Sequence, residues 1–214
     1  MAAERTAPGA APSQEHTMYA PTQDTEIDGL VGYIDAQLDA LRASLHGLTE
    51  EQAHATPCRS ALSVGALIKH SIYVMRGATE RLTDGPRLVP PTQEGFVEFE
   101  DSTRLGQDES AAALLPVFDA TREDYLAALR ATNPAAPSQE PPAPWAGITE
   151  PMPILQRYYL VHQVEELARH AGHAEIIREQ IDGVTIPEIL MTLSGQGPSA
   201  FFSPYEAPAG TITG

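Results

Sequence analysis

Cysteine, positive charge and long apolar runs are all scarce in this 214-residue chain. The single cysteine, Cys58, excludes an intrachain disulfide and a zinc–thiolate cluster, and it fits a reducing compartment. It follows Pro57 with no base beside it, which predicts an inert small side chain and not a nucleophile. With 13 basic residues against 29 acidic ones, the formal net charge is -16. Such a balance argues against tracking nucleic-acid phosphates or an anionic membrane surface. No stretch approaches the roughly 20 apolar residues that a membrane helix needs. The N-terminal MAAERTAPGAAPSQEHTMYAPTQ lacks the charged-then-apolar run of a secretory signal. The expectation is a soluble, cytoplasmic protein with neither nucleic acid nor membrane as a partner.

What is present is enough apolar content, 42% of residues, for one domain with a real core. Residues 1–23 are rich in Ala, Pro, Gly, Ser and Thr and read as a flexible tail. Leu30, Ile34, Leu38, Leu41 and Leu45 then keep helical spacing, predicting a first helix from about Glu26 to Leu45 that Gly47 ends. Thr49-Glu-Glu-Gln52 has the form of a capping box and predicts a short helical turn before Pro57. Ser63 is a candidate N-cap for a second long helix, closed by Asp84-Gly-Pro86. Residues 84–107 read as a connection whose middle, Glu94 to Glu100, is a short strand or an ordered loop. A third helix is expected from about Ser110 to Ala131, with Pro116 kinking it or lying near its start. A proline-rich loop from Asn133 to Glu150 carries the only Trp, Trp145. A fourth helix is expected from about Pro153 to Ile181, stopped by Asp182-Gly183. Four helices with unequal connections predict an all-α four-helix bundle with long crossovers over residues 24–183. Residues 184–214 form a C-terminal extension whose Phe201, Phe202 and Tyr205 suit docking on the bundle or on a partner subunit, which allows a homodimer.

The fourth helix carries the best functional clue. Leu155, Tyr159, His162, Glu166, His170, His173 and Ile177 are separated by four, three, four, four, three and four residues, so they share one helix face. The ends of the stripe are apolar and its middle is imidazole and carboxylate. A buried carboxylate is costly unless it is paired or bound to a metal. His70 on the second helix offers a third donor from across the bundle, and bundles build metal sites from facing helices. Glu166 with His170, His162 with Glu166, and His170 with His173 all remain open as the pair on the fourth helix. A buried polar network of the same side chains is the alternative. The histidines at 16, 46 and 54 fall in a tail or near helix ends and read as structural.

Three segments carry a family resemblance: Gly47-Leu-Thr-Glu-Glu-Gln52, Leu62-Ser-Val-Gly-Ala-Leu-Ile-Lys-His70, and His162-Gln-Val-Glu-Glu166-Leu-Ala-Arg-His170-Ala-Gly-His173 running on to Arg178 and Gly183. Together they strongly resemble the DinB-like superfamily of metal-dependent four-helix bundles. That superfamily includes mycothiol-dependent maleylpyruvate isomerases and the mycothiol and bacillithiol S-transferases. The resemblance implies His70, Glu166 and His170 as ligands of a divalent metal, zinc first, with nickel or iron as alternatives. It implies His173 and His162 as proton-moving or substrate-facing groups, and a low-molecular-weight thiol as co-substrate. The function it implies is a thiol-dependent S-transferase or isomerase acting on a small molecule. A small-molecule sequestration protein, or a thiol-independent catalyst of secondary metabolism, would use the same bundle. Close relatives carry a Glu and an aromatic where this chain has Met75 and Ala78, which predicts a larger, more apolar pocket. Arg169 and Arg178 read as solvated helix-face residues before carboxylate anchors, and Tyr158 and Tyr159 as core before catalytic.

Overall fold

The computed structural model describes residues 23–89, 92–201 and 203–213. The expected tail over 1–23 therefore lies almost wholly outside the described residues. Seven helices make up the body of the fold: α1 (Glu26–Ala43), α2 (Glu50–His54), α3 (Val64–Asp84), α4 (Gln93–Ser102), α5 (Ala111–Arg130), α6 (Gln156–Asp182) and α7 (Ile186–Leu193). A two-stranded hairpin, β1 (Pro137–Glu140) and β2 (Met152–Leu155), precedes α6. The all-α reading holds, and α1, α3, α5 and α6 are the four long helices it called for.

The helix starts follow capping chemistry. Thr25, Ser63, Thr92 and Ser110 each accept a backbone N–H of the first turn through the side-chain oxygen, which satisfies a donor that the helix leaves unpaired. Thr49 and Gln52 form the reciprocal capping box expected of α2. The Glu50 carboxylate then accepts the Ser110 hydroxyl and the backbone N–H groups of Ala111 and Ala112, so the short α2 caps α5. The α3 and α6 ends meet Gly85 and Gly183 at positive φ, where a Cβ would be strained. One face of each long helix is buried. Val31, Ile34, Leu38 and Leu41 of α1 join Leu67, Ile68 and Met75 of α3, Phe118, Tyr125 and Leu129 of α5, and Leu160, Leu167 and Ala174 of α6 in a single core. α3 packs mainly on α5 and α1 mainly on α6, while α3 and α6 meet over a smaller area.

Several expectations are corrected. Residues 94–100 are neither strand nor loop but the body of α4, made helical by the Thr92 cap and presented to α3. The fourth long helix starts at Gln156 and not at Pro153, because Met152–Leu155 pairs antiparallel with Pro137–Glu140, Pro137 opposite Leu155. That hairpin also caps the helix: the N–H groups of Gln156 and Arg157 donate to the carbonyls of Ala136 and Pro134, each at 2.9 Å. The first helix ends at Ala43, and turns carry the chain on to Gly47. Pro116 sits inside α5. Met75 and Ala78 are wholly buried in the core and so line no enlarged pocket.

Arg178 is the sharpest correction. It is not solvated but 0% exposed. Its guanidinium grips Asp182 with two prongs, donates to the carbonyls of Ser44 (3.0 Å) and His46 (2.7 Å), and donates to the Tyr205 hydroxyl (3.1 Å). The C-terminal extension docks on the bundle here. Tyr205 lies against Gly47, which has a φ of 82°, and Ile212 exchanges backbone bonds of 2.7 Å with Gly47 and Leu48. Phe201, by contrast, is 99% exposed. The expected docking of Phe202 lies outside the described residues.

Candidate metal centre

His70 on α3 and Glu166 and His170 on α6 meet where those two helices approach. One donor atom from each lies within 4.8 Å of the others, and they are the only such trio of potential metal ligands among the described residues. Both imidazoles address the same carboxylate oxygen: Nε2 of His170 stands 3.1 Å from Glu166 Oε1, and Nε2 of His70 stands 3.8 Å from it. His70 is buried, while Glu166 keeps about a quarter of its side chain exposed and so opens the cluster to solvent. The hydrogen bond from His170 is the largest influence holding the Glu166 carboxyl well below the usual carboxylate range, against the opposing effect of burial.

The His70 ring is set by α4. Ser102 donates its hydroxyl to the Phe99 carbonyl at 2.7 Å, which leaves its lone pair to accept His70 Nδ1–H at 2.9 Å. The proton then sits on Nδ1, and Nε2 faces Glu166 with its lone pair free. Phe99 meets the imidazole edge-on at 5.7 Å between centroids, Tyr73 stacks on it at 6.1 Å, and the His170 ring crosses it at 4.8 Å. Ser102, Phe99 and Tyr73 were not singled out by the sequence. The available signal was Thr92 as a cap, followed by the helical spacing of Phe96 and Phe99.

The donor set fits a divalent transition metal. Two imidazoles and a carboxylate suit zinc, nickel or iron, and ligands around a tetrahedral zinc at about 2.0–2.1 Å sit roughly 3.3 Å apart. The spacings of 3.1 and 3.8 Å bracket that value. Of the remaining candidates, His173 is half-buried with its ring 5.9 Å from that of His170. Nδ1 of both rings is buried and has no hydrogen-bond partner within the protein. His162 lies outside the cluster, exposed and 3.4 Å from Glu165, although its charge still acts on Glu166. Of the stripe that the sequence laid out as buried, Leu155 lies in β2 and is exposed, His162 is exposed, and Tyr159 between them is buried. Arg169 is exposed and paired with Glu165.

If Ser102 fixes the ring, Ser102→Ala is expected to weaken divalent-metal binding by about 10–100-fold, the usual effect of losing an outer hydrogen-bond partner. Competition against a chromogenic chelator measures this directly.

These features define a class: a DinB-like helical bundle with a His/Glu/His cluster suited to a divalent metal. A sequence model of the family described as Mycothiol-S-transferase matches residues 29–183, from the first turn of α1 to the Gly183 cap, and the chain belongs to that family. No curated protein and no solved structure matches it. No helix among the described residues is long and apolar enough to cross a membrane.

Proposed function

We propose that the protein is a metal-dependent thiol S-transferase, with His70, Glu166 and His170 holding a divalent ion and a low-molecular-weight thiol of the mycothiol type as co-substrate. The observation that carries this reading is the convergence of two Nε2 atoms, from different helices, on one carboxylate oxygen in a cluster that stays open on one side. An ion bound there supplies the Lewis acidity that makes a thiol acidic at neutral pH.

The side chains supply the rest. Ser102 holds His70 in the tautomer that presents Nε2 to the site. Glu166 brings the negative charge that favours a cation over an empty cluster. His173, whose ring lies beside that of His170, is the first candidate for taking the thiol proton. His162, exposed near the rim, is the second candidate for passing that proton to solvent. In the overall reaction a carbon–sulfur bond forms and the S–H bond breaks. The proton goes to the leaving group in a substitution, or to the neighbouring carbon in an addition across a double bond. An isomerase reaction is the reversible form of the addition. The sequestration reading drew on Met75 and Ala78 and on the aromatics of the C-terminal extension, and it loses the first support because both side chains are packed in the core.

Elemental analysis of wild type beside His70→Ala tests the proposal, together with turnover of a thiol and an electrophile. Wild type is expected to carry about one ion per chain, as a single His/Glu/His site would. The variant is expected to lose both the ion and the turnover. Equal, sub-stoichiometric metal in the two proteins would overturn the ligand assignment. Metal and ligand binding without turnover would favour sequestration.

A further inference from the structure

Beside the cluster, aromatic rings that the His/Glu/His chemistry does not use pack around His70. Tyr73 and Phe99 both contact His70 and meet each other at 6.3 Å between centroids. Phe96 lies one helical turn from Phe99 on α4, and it meets Trp145 edge-on at 6.4 Å. All four rings are substantially exposed, from 37% for Tyr73 to 69% for Trp145. Apolar rings left open to water in a row are costly unless something covers them.

The charge on α4 beside these rings is acidic. α4 carries Glu94, Glu98, Glu100 and Asp101, and the charge of Glu98 reaches Tyr73, whose hydroxyl burial and this carboxylate push toward higher pKa. The neighbouring cations are engaged: Lys69 with Asp101 and Glu109, Arg169 with Glu165, and Arg87, which also acts on Tyr73, with Glu80. Arg76 is turned into the groove between α3 and α5. A substrate carboxylate arriving at these rings therefore meets the acidic side chains of α4 first, with Lys69, Arg169 and Arg87 already paired and Arg104 beyond the end of the helix.

Resting on the transferase reading, we propose that Tyr73, Phe96, Phe99 and Trp145 form a shelf that binds the planar apolar part of an uncharged aromatic electrophile beside the cluster, and that the α4 carboxylates disfavour carboxylate-bearing substrates. The shelf places the electrophile next to His70. The ring faces accept any flat apolar surface, so they set a chemical class and not one compound.

Unreactive ring compounds separate this claim from catalysis. Binding of N-phenylsuccinimide, N-(4-carboxyphenyl)succinimide and N-ethylsuccinimide to the full chain is measured by calorimetry. The phenyl compound is expected to bind about tenfold more tightly than the ethyl compound, the scale of an aromatic contact. It is expected to beat the carboxylated one by a similar factor, which Glu98→Gln narrows. The paired substitution Phe96→Ala and Phe99→Ala, and separately Trp145→Ala, should bring phenyl binding down toward the ethyl value. Equal or tighter binding of the carboxylated compound, or an undiminished phenyl preference in both sets of variants, overturns the shelf. Turnover of the corresponding maleimides with thiol, in a Cys58→Ser background, tests the transferase reading separately. Turnover without phenyl preference sinks the shelf alone, and phenyl-selective binding without turnover sinks the transferase alone.

Discussion

Replacing Arg178 by methionine is expected to destabilise the protein by about 3–5 kcal/mol, the range for removing one partner of a buried ion pair. The side chain is similar in length and wholly buried, so volume is nearly conserved and the loss is electrostatic. Asp182 would keep its charge with no counterion, and the carbonyls of Ser44 and His46 would lose a donor in a site with little water. Arg178→Lys is not expected to rescue it, since an ammonium cannot reproduce a planar fork that reaches Asp182, two carbonyls and a hydroxyl at once. Tyr205→Phe removes the bond from Arg178 and the longer, weaker one to the Gly47 carbonyl, and should cost only about 1 kcal/mol. Urea unfolding of the three variants at fixed pH gives the ordering. A midpoint for Arg178→Met within experimental error of wild type would show that the extension is held by other contacts.

Glu166→Gln should weaken divalent-metal binding by more than the ~100-fold that the loss of an outer partner costs, since it removes a donor charge while keeping the shape. The metal-free proteins should also differ in acid. The hydrogen bond from His170 depresses the Glu166 carboxyl in the folded state, so the unfolded chain takes up that proton more readily. The linked stability is therefore complete above the ordinary carboxylate range and is lost progressively as pH falls below it. The glutamine variant has no such group. Its stability should show a shallower acid limb, and the gap between the two proteins should shrink toward low pH. Parallel acid limbs in thermal melts of the chelated proteins would contradict this coupling.

Most of the scaffold was readable because its signals are local. Caps at Ser63 and Ser110, the box at Thr49 and Gln52, and the glycine after Asp182 each act within one turn, and helical spacing of Leu and Ile marks the faces. The trio His70, Glu166 and His170 was indicated by spacing together with family resemblance, because spacing alone left three pairings open on α6. What escaped depends on tertiary neighbours. α4 has a polar, acidic sequence with little core face of its own, and it is helical against α3 because Phe99 and Ser102 pack on His70. Arg178 follows the glycine-and-histidine motif in sequence like any surface arginine. Its partners at Ser44 and His46 lie more than 130 residues away, beyond any periodicity. His162 matched the stripe by count, but the buried face of α6 runs through Tyr159, Leu160, Gln163, Leu167, Ala171 and Ala174, so His162 lies well to one side of it and points to water.

Gly47 answers to two constraints at once. Its backbone adopts a conformation that Asn also tolerates, so in a bundle of this kind without residues 203–213 an asparagine there would be a mild change. Here any Cβ would land in the ring of Tyr205, 158 residues further along the chain. The added segment has thus reached back and narrowed the vocabulary of a turn in the parent bundle, and lengthening such a fold at one end restricts which substitutions remain open near the other.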